Sequence, residues 1–498
     1  MSFLLFDFLA QRAELSPDRI AMEDLISGER VSYAGLDARA GRAASLLAEN
    51  GVEAGDRVAL LCRNRIEFFE LLFACGKLGA ILVPLNWRMP AAELEPLIAD
   101  SRPTALIFGK EDEAVAQSLP SATRLALDGD YAQARDDQPV HAGRGPWRHD
   151  DTWYLLYTSG TTGKPKAVIQ TCGMALANAV NIKQAMGLRG EDTTLNYLPL
   201  FHTAGINLVT LPALMDGARV LVLPGFDVDR VASLLAEGEL DNFFGVPAVY
   251  QALSLHPDFQ SWDLRSVRSW ACGGAPLPDV LIHQYAPRGA RVLNGMGMTE
   301  TGPTVFLMDP DLAEEKIGAV GKPQLLSQVR LVDRDGNDVP RGQPGEMWFS
   351  GPGVTPGYWN NPEATEQAFV DGVWLRSGDL GRQDEDGYFY VVGRLKDMYI
   401  SGGENVYPAE VENQLADHPA VLEAAVVGVS DARWGEVGCA YLMLRPEAEA
   451  PDEEDLVRFC RERLAAYKVP KYFVIVEDFP RTAAGKVQKH LLEPRDGE

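Results

Sequence analysis

Apolar and polar positions alternate between two spacings along the first half of the chain. Arg57 to Cys62 is one short unbroken apolar run, the pattern of a strand buried on both faces. Ile66 to Leu78 then carries apolar residues at helical spacing, and Ala80 to Leu85 and Thr104 to Phe108 are again strand-like. Arg219 to Leu223, Phe226 to Glu237 and Asn242 to Val246 repeat the strand, helix, strand order. Such alternation predicts an α/β fold with a largely parallel sheet. Gln133 to Asp151 is polar, with Pro139, Gly143, Gly145 and Pro146, and is expected to be a surface connection. From Gln328 the texture changes. Short strands at Val329–Val332 and Glu346–Phe349 stand between the turn pairs Asp335-Gly336 and Asp386-Gly387, which predicts a smaller β-rich unit. The last hundred residues alternate once more. Helical spacing at Ala409–Leu415 and Asp452–Leu464 is interleaved with strands at Val421–Val429 and Tyr472–Val476, and the acidic stretch Glu447–Asp455 reads as a solvated connection.

Length and charge narrow the possibilities. A chain of 498 residues is expected to hold two to four domains. Acidic residues number 71 against 46 basic, for a net charge of −25, a field that repels nucleic acid and anionic lipid. It also repels nucleotides, so a phosphate ligand needs a local cluster of donors. Six scattered cysteines, in no metal-binding or disulfide spacing, fit a reducing cytoplasm. Met1 to Leu9 has neither a basic start nor a small-residue cleavage site, so no signal peptide is expected. The most apolar stretch, Phe68 to Leu85, is interrupted by Glu70, Lys77 and Pro84 and is not expected to span a membrane.

One segment concentrates phosphate-binding chemistry: Thr158, Ser159, Gly160, Thr161, Thr162, Gly163, Lys164, Pro165 and Lys166, directly after the strand-like run Tyr154–Tyr157. Glycines let backbone N–H groups approach phosphate oxygens, hydroxyls donate further bonds and lysines add charge. The spacing differs from the Walker loop, because only Thr161 and Thr162 separate the glycines and Pro165 follows Lys164.

With this segment the chain resembles the adenylate-forming superfamily, which includes acyl-CoA synthetases, aryl-CoA ligases, peptide-synthetase adenylation domains and firefly-type luciferases. Further matching segments follow in the family's order up to residue 489, so the resemblance covers essentially the whole chain. It implies a large N-terminal domain of layered α/β subdomains plus the small β-rich unit, at residues 1–395, for ATP and the acid. A small mobile α+β C-terminal domain, at residues 396–498, then carries a catalytic lysine, with Lys396 at the hinge.

The implied roles follow residue by residue. In Asn294, Gly295, Met296, Gly297, Met298, Thr299 and Glu300, the resemblance gives Thr299 the α-phosphate and Glu300 the Mg²⁺, a hard cation that favours carboxylate and phosphate oxygens. Met296 stands where the family has an aromatic over adenine. Gly273, Gly274, Ala275 and Pro276 match the loop beside adenine and the acyl pocket. Asp379 matches the acceptor of both ribose hydroxyls, a role that suits a carboxylate, and Arg394 is its partner. Gly402 and Gly403 match a loop lining the pantetheine tunnel of coenzyme A. His202 matches an aromatic gate between acyl pocket and thiol tunnel. Lys486 matches the lysine that bridges the acyl carboxylate and the α-phosphate during adenylation. The cationic cluster demanded by the net charge is then Lys164, Lys166, Arg394 and Lys486.

The implied activity is AMP-forming ligation of a carboxylic acid to coenzyme A, with ATP and Mg²⁺. Thr203 to Leu208 contains no acid to pair a substrate ammonium, which disfavours α-amino acids. Val246, Ala271, Gly273, Met298 and Thr301 are expected as small, largely apolar pocket walls, suited to a medium-chain or aromatic acid. Carrier-protein loading, a nucleotide-binding pseudoenzyme and a luciferase-like oxygenase are the alternatives. A homodimer and a lysine acetyltransferase acting on Lys486 complete the expected partners.

Overall fold

The computed structural model describes residues 3–121, 123–158, 165–275, 277–446, 448–481 and 487–492. The strands Arg57–Leu61, Ile81–Pro84 and Ala105–Phe108 lie parallel in a six-stranded sheet. Neighbouring strands point successive side chains to opposite faces. Val58, Leu60, Leu82 and Ile107 therefore pack with helix Ile66–Leu78, while Ala59, Leu61, Val83 and Leu106 pack with helix Ala91–Ser101. Both faces are covered, which is why these strands are apolar throughout. Helix Ile66–Leu78 ends where Gly79 turns left-handed at φ 79°, a conformation that costs glycine least.

Besides a short two-stranded pairing of Leu4–Leu5 with Trp147–Arg148, two larger sheets belong to the large domain. One has four strands, in the order Thr193–Asn196, Arg219–Val222, Ile20–Asp24 and Arg30–Ser32. The other has ten. It begins with parallel strands at Asn242–Gly245, Ser269–Cys272 and Val292–Gly297. It continues through Thr304–Leu307 and Ala319–Pro323 into the antiparallel strands Phe389–Arg394, Trp374–Gln383, Gly345–Ser350 and Gln328–Val332. The β-rich part beyond Gln328 is thus hydrogen-bonded onto the α/β part rather than detached from it. A separate five-stranded sheet, led by the hairpin Val421–Asp431 and Gly435–Leu444, forms the small C-terminal domain. Leu395 and Lys396 sit in the exposed turn between Arg394 and the small domain's first strand, Tyr399–Ser401. All six cysteines are buried, and none forms a disulfide. Among the described residues no helix is long and apolar enough to cross a membrane.

Two expectations need correction. Gln133–Asp151 is not merely a surface connection, because it sends Arg135 and Trp147 into the interior. The Arg135 guanidinium donates to Glu70 Oε2 at 2.9 Å, and the Tyr131 hydroxyl donates to Glu70 Oε1 at 2.5 Å. Glu70 has no solvent exposure. Trp147 packs edge-on against Trp153, with ring centroids 5.2 Å apart. The polar texture hid Arg135 because its partner Glu70 lies 65 residues away, and it hid Trp147 because one aromatic residue sets no period. The acidic stretch near residue 450 is more than a connection as well. Asp452 accepts from the Asp455 N–H at 2.8 Å and caps helix Glu453–Arg461. Acidic residues in a first turn complement the helix dipole.

Removing one partner of a buried ion pair leaves the other charge uncompensated. Glu70→Ala is expected to lower stability by about 3 kcal/mol, seen as a lower urea midpoint. Glu70→Gln is expected to lose less, since its amide oxygen still accepts from Tyr131. Equal midpoints for Glu70→Ala and the parent chain would show that Arg135 finds water instead.

Candidate active site

Three parallel strands bring their carboxyl ends to one place. Gly245 pairs with Cys272 and Cys272 with Asn294, so the residues that follow, Val246, Gly273 and Gly295, lie side by side. Open α/β sheets bind ligands outside such carboxyl ends. Space there is tight. A Cβ on Gly273 would sit 3.3 Å from Phe244 Cζ and 3.4 Å from the Gly295 carbonyl. A Cβ on Gly297 would fall 1.7 Å from the Pro303 carbonyl oxygen, so only glycine fits. Gly274 and Ala275 continue from Gly273, Gly274 in the left-handed region at φ 87°. Pro276 lies outside the described residues. Met296 and Met298 are half-buried against the cluster that holds Phe306 and Phe349. Asn294 is buried and donates to the Ala319 carbonyl at 3.3 Å.

The Thr299–Glu300 turn is buried and tied down from several directions. The Gln170 amide donates to the Thr299 carbonyl at 2.9 Å, and the Thr355 N–H donates to the Glu300 carbonyl at 2.8 Å. The Tyr358 hydroxyl donates to Glu300 Oε1 at 2.9 Å. The Thr301 hydroxyl donates to the Pro303 carbonyl at 2.6 Å and accepts from the Met298 N–H at 3.0 Å, so it closes the turn rather than facing outward as a wall. Burial pushes the Glu300 carboxyl above its ordinary pKa, while the Tyr358 bond and the charges of Arg394 and Lys166 pull it back.

The sequence-predicted cations meet this turn where they are described. Thr158 and Lys166, the two described ends of the segment expected to bind phosphate, are directly paired across the hairpin of strands Thr152–Thr158 and Lys166–Thr171. Lys166 Nζ lies 5.1 Å from the centre of the Tyr358 ring. Asp379 and Arg394 are opposite each other on adjacent strands, and the Arg394 Nε–H donates to Asp379 Oδ1 at 2.8 Å. Ser159, Gly160, Thr161, Thr162, Gly163, Lys164 and Lys486 lie outside the described residues.

His202 is half-buried, and its Nδ1 accepts from the Ala204 N–H at 3.3 Å. It opens a π-helical segment, Ala204–Leu208, a form that often marks functional sites. Gly402 and Gly403 lie in the left-handed region at φ 61° and 91°. They turn the hairpin of Tyr399–Ser401 and Glu404–Val406, with the Gly402 N–H donating to the Trp434 carbonyl at 2.9 Å. Sequence reasoning missed Gln170, Thr355 and Tyr358. Each acts through a partner more than fifty residues away, and none sits in a motif of its own.

The donor set fits Mg²⁺. Among the described residues no group of three His, Cys, Asp or Glu could cage a metal. A buried carboxylate with one oxygen already oriented by Tyr358 is what a cation shared with substrate phosphates needs, since Mg²⁺ is commonly held by one or two carboxylates, phosphates and water. Glu300 could hold it.

Comparisons with known proteins agree with this geometry. The AMP-binding enzyme family matches residues 9–359, and the AMP-binding enzyme C-terminal domain matches residues 410–486. The chain belongs to this family. It is similar to a feruloyl-CoA synthase from Amycolatopsis sp., 42% identical over 98% of each chain. It is similar to an indoleacetate–CoA ligase of Aromatoleum aromaticum, 38% identical over 97% of this chain and 96% of the other. Among solved structures, o-succinylbenzoate CoA synthetase of Bacillus subtilis, in complex with its acyl-adenylate intermediate, superposes with a TM-score of 0.89 and 33% identity over 100% of both chains. The protein is an AMP-forming acid–thiol ligase that joins a small-molecule carboxylic acid to coenzyme A through an acyl-adenylate, with ATP and Mg²⁺. These relatives do not favour carrier-protein loading.

A hydrogen bond to a charged group contributes about 1.5–3 kcal/mol. Tyr358→Phe is therefore expected to weaken binding of an Mg²⁺-bound, non-hydrolysable ATP analogue about tenfold, measured by calorimetric titration, with little change in the unfolding midpoint. Affinity equal to that of the parent chain would show that Glu300 is oriented without Tyr358.

Proposed function

We propose that the acid this ligase activates is a planar aromatic carboxylate. The observation that carries the reading is the glycine floor against an aromatic ring. A Cβ on Gly273 would press on the Phe244 ring at 3.3 Å, Ala271 is buried, and half-buried Val246 and Met298 add apolar surface. No acidic side chain in residues 203–208 could pair a substrate ammonium. The feruloyl and indoleacetate names of two relatives support an aromatic acid. A second reading, a fatty acid, is supported by a long-chain fatty acid–CoA ligase of Mycobacterium tuberculosis that is 36% identical over 97% of each chain.

The residue roles are those the family resemblance implies, and the chemistry of the reaction accommodates them. A carboxylate oxygen attacks the α-phosphorus of ATP, the bond to the bridging oxygen breaks, and pyrophosphate leaves. The thiol of coenzyme A then attacks the acyl carbon, loses its proton, and AMP departs with the electron pair. The first step is a phosphorus displacement, in which positioning and charge neutralisation dominate. Thr158, Ser159, Gly160, Thr161, Thr162, Gly163, Lys164 and Lys166 are assigned to the β- and γ-phosphates, and Thr299 to the α-phosphate. Glu300 would hold Mg²⁺, which when bound offsets phosphate charge. Asp379 and Arg394 are assigned to the ribose, and Gly273–Pro276 with Asn294–Met298 to the adenine side. Here Met296 covers the ring by its thioether. His202 separates acyl pocket from thiol path, and Gly402 and Gly403 flank the pantetheine chain. The boundary between domains is placed at residues 395 and 396, in the exposed turn after Arg394. Rotation there would exchange Lys486 for the Gly402–Gly403 hairpin between half-reactions.

Pyrophosphate release with Mg-ATP and a panel of aromatic and fatty acids, with and without coenzyme A, tests the substrate reading. Rapid turnover with aromatic acids only when coenzyme A is present is expected. Preference for fatty acids would overturn it.

An ammonium lost from the transition state typically costs about 3 kcal/mol. Lys486→Ala is expected to slow adenylation about a hundredfold or more, while thioester formation from supplied acyl-adenylate changes little. Equal loss in both half-reactions would remove Lys486 from the adenylation step.

A further inference from the structure

Gln170 stands out in its strand. It lies among apolar neighbours in Lys166–Thr171 and has no solvent exposure. A carboxamide buried there is costly unless its groups are bonded. Its bonds reach two different parts of the site. Nε2 donates to the Thr299 carbonyl at 2.9 Å, and Oε1 accepts from Asn207 Nδ2 at 3.4 Å.

Asn207 belongs to the π-helical segment that follows His202, and it is buried. Its Nδ2 also donates to Thr203 Oγ1 at 3.1 Å, and its Oδ1 accepts from the Tyr154 hydroxyl at 2.5 Å. Its carbonyl accepts from Asn178 Nδ2, and Asn178 Oδ1 accepts from Thr304 Oγ1 at 2.8 Å. The segment is also held from below, because a Cβ on Gly205 would fall 2.4 Å from the Pro199 carbonyl oxygen. The chain Thr203, Asn207, Gln170 and Thr299 therefore runs unbroken from the residue beside His202 to the turn that carries Glu300.

We infer that Gln170 and Asn207 are positioning residues for the adenylation step: the buried amide pair Gln170–Asn207 sets the Thr299–Glu300 peptide against the His202 segment, so that acid and α-phosphate meet at the right separation. This rests on the proposed role of Thr299 at the α-phosphate. Holding the Thr299 carbonyl fixes the rotation of the peptide that follows, and with it the directions of the Thr299 hydroxyl and the Glu300 carboxylate. Displacement by about 1 Å can cost a hundredfold in rate. A fully satisfied buried polar network is rigid enough to prevent it. The thiol step, which uses the acyl carbon and coenzyme A, does not depend on this separation.

The test measures single-turnover pyrophosphate release at saturating Mg-ATP and acid, and thioester formation from supplied acyl-adenylate. Gln170→Met keeps the volume and removes both bonds. It is expected to slow adenylation about 10- to 100-fold, with the rate of thioester formation within about threefold of the parent. Gln170→Glu covers the case in which Gln170→Met does not fold. Its carboxyl donates to the Thr299 carbonyl only when protonated, so its adenylation rate relative to the parent is expected to rise as pH falls. Asn207→Ala combined with Gln170→Met is expected to be no slower than Gln170→Met alone, because both act through one chain of bonds. Equal slowing of the two half-reactions, an unaltered adenylation rate, a flat Gln170→Glu ratio, or additive effects would each overturn the inference. Thr299→Val with parent-like adenylation would instead overturn the reading of Thr299, and the inference with it.

Discussion

The edge strand Lys166–Thr171 is the constraint on which the site depends. On one side it pairs with Thr152–Thr158 and so forms the hairpin around the phosphate-loop segment. On the other it is bonded to residues 355–359: the Ile169 N–H donates to the Gly357 carbonyl at 3.1 Å, and the Trp359 N–H donates to the Ala167 carbonyl at 2.8 Å. Thr355 and Tyr358, in that same segment, hold Glu300. An edge strand left bare is a liability. Here the backbone bonds that cover the edge also tie the hairpin that ends at Thr158 and Lys166 to the segment that holds the Glu300 carboxylate.

The second constraint is electrostatic. A chain of net charge −25 handles an anionic nucleotide, so the attraction has to be local. Lys166 and Arg394 both act on the Glu300 carboxylate, and Lys166 also lies over the Tyr358 ring. Glu300 is buried, and water does not screen these charges as it does on the surface. The same burial raises its carboxyl pKa. A cation held by Glu300 would favour the ionised form and so offset that rise. Arg394 is bound to Asp379 across a strand pair, so the proposed ribose acceptor arrives already oriented.

The small domain is organised separately. Its core gathers Tyr399, Val406, Val411 and Leu442 around one five-stranded sheet. It carries the Gly402–Gly403 hairpin, while the Thr299–Glu300 turn belongs to the large domain. The proposed exchange of groups between half-reactions would use these two bodies, joined at an exposed turn. This division is consistent with the family match, which falls in two segments on either side of that turn.

The sequence by itself determined the alternating strands and helices of the first half and the change of texture at Gln328. It also marked out local segments whose chemistry-bearing residue types are contiguous, at residues 158–166 and 295–300. Apolar periodicity and clustered glycines and hydroxyls leave a local trace, because the physical cause acts over a few residues. What only the tertiary structure decided was the continuity of the ten-stranded sheet, the burial of Arg135 and Trp147, and the parts played by Gln170, Thr355 and Tyr358. The partners of these five residues lie between six and about two hundred residues away along the chain. A buried polar side chain is specified by the one group it bonds. No composition or period along the chain encodes which distant group that is.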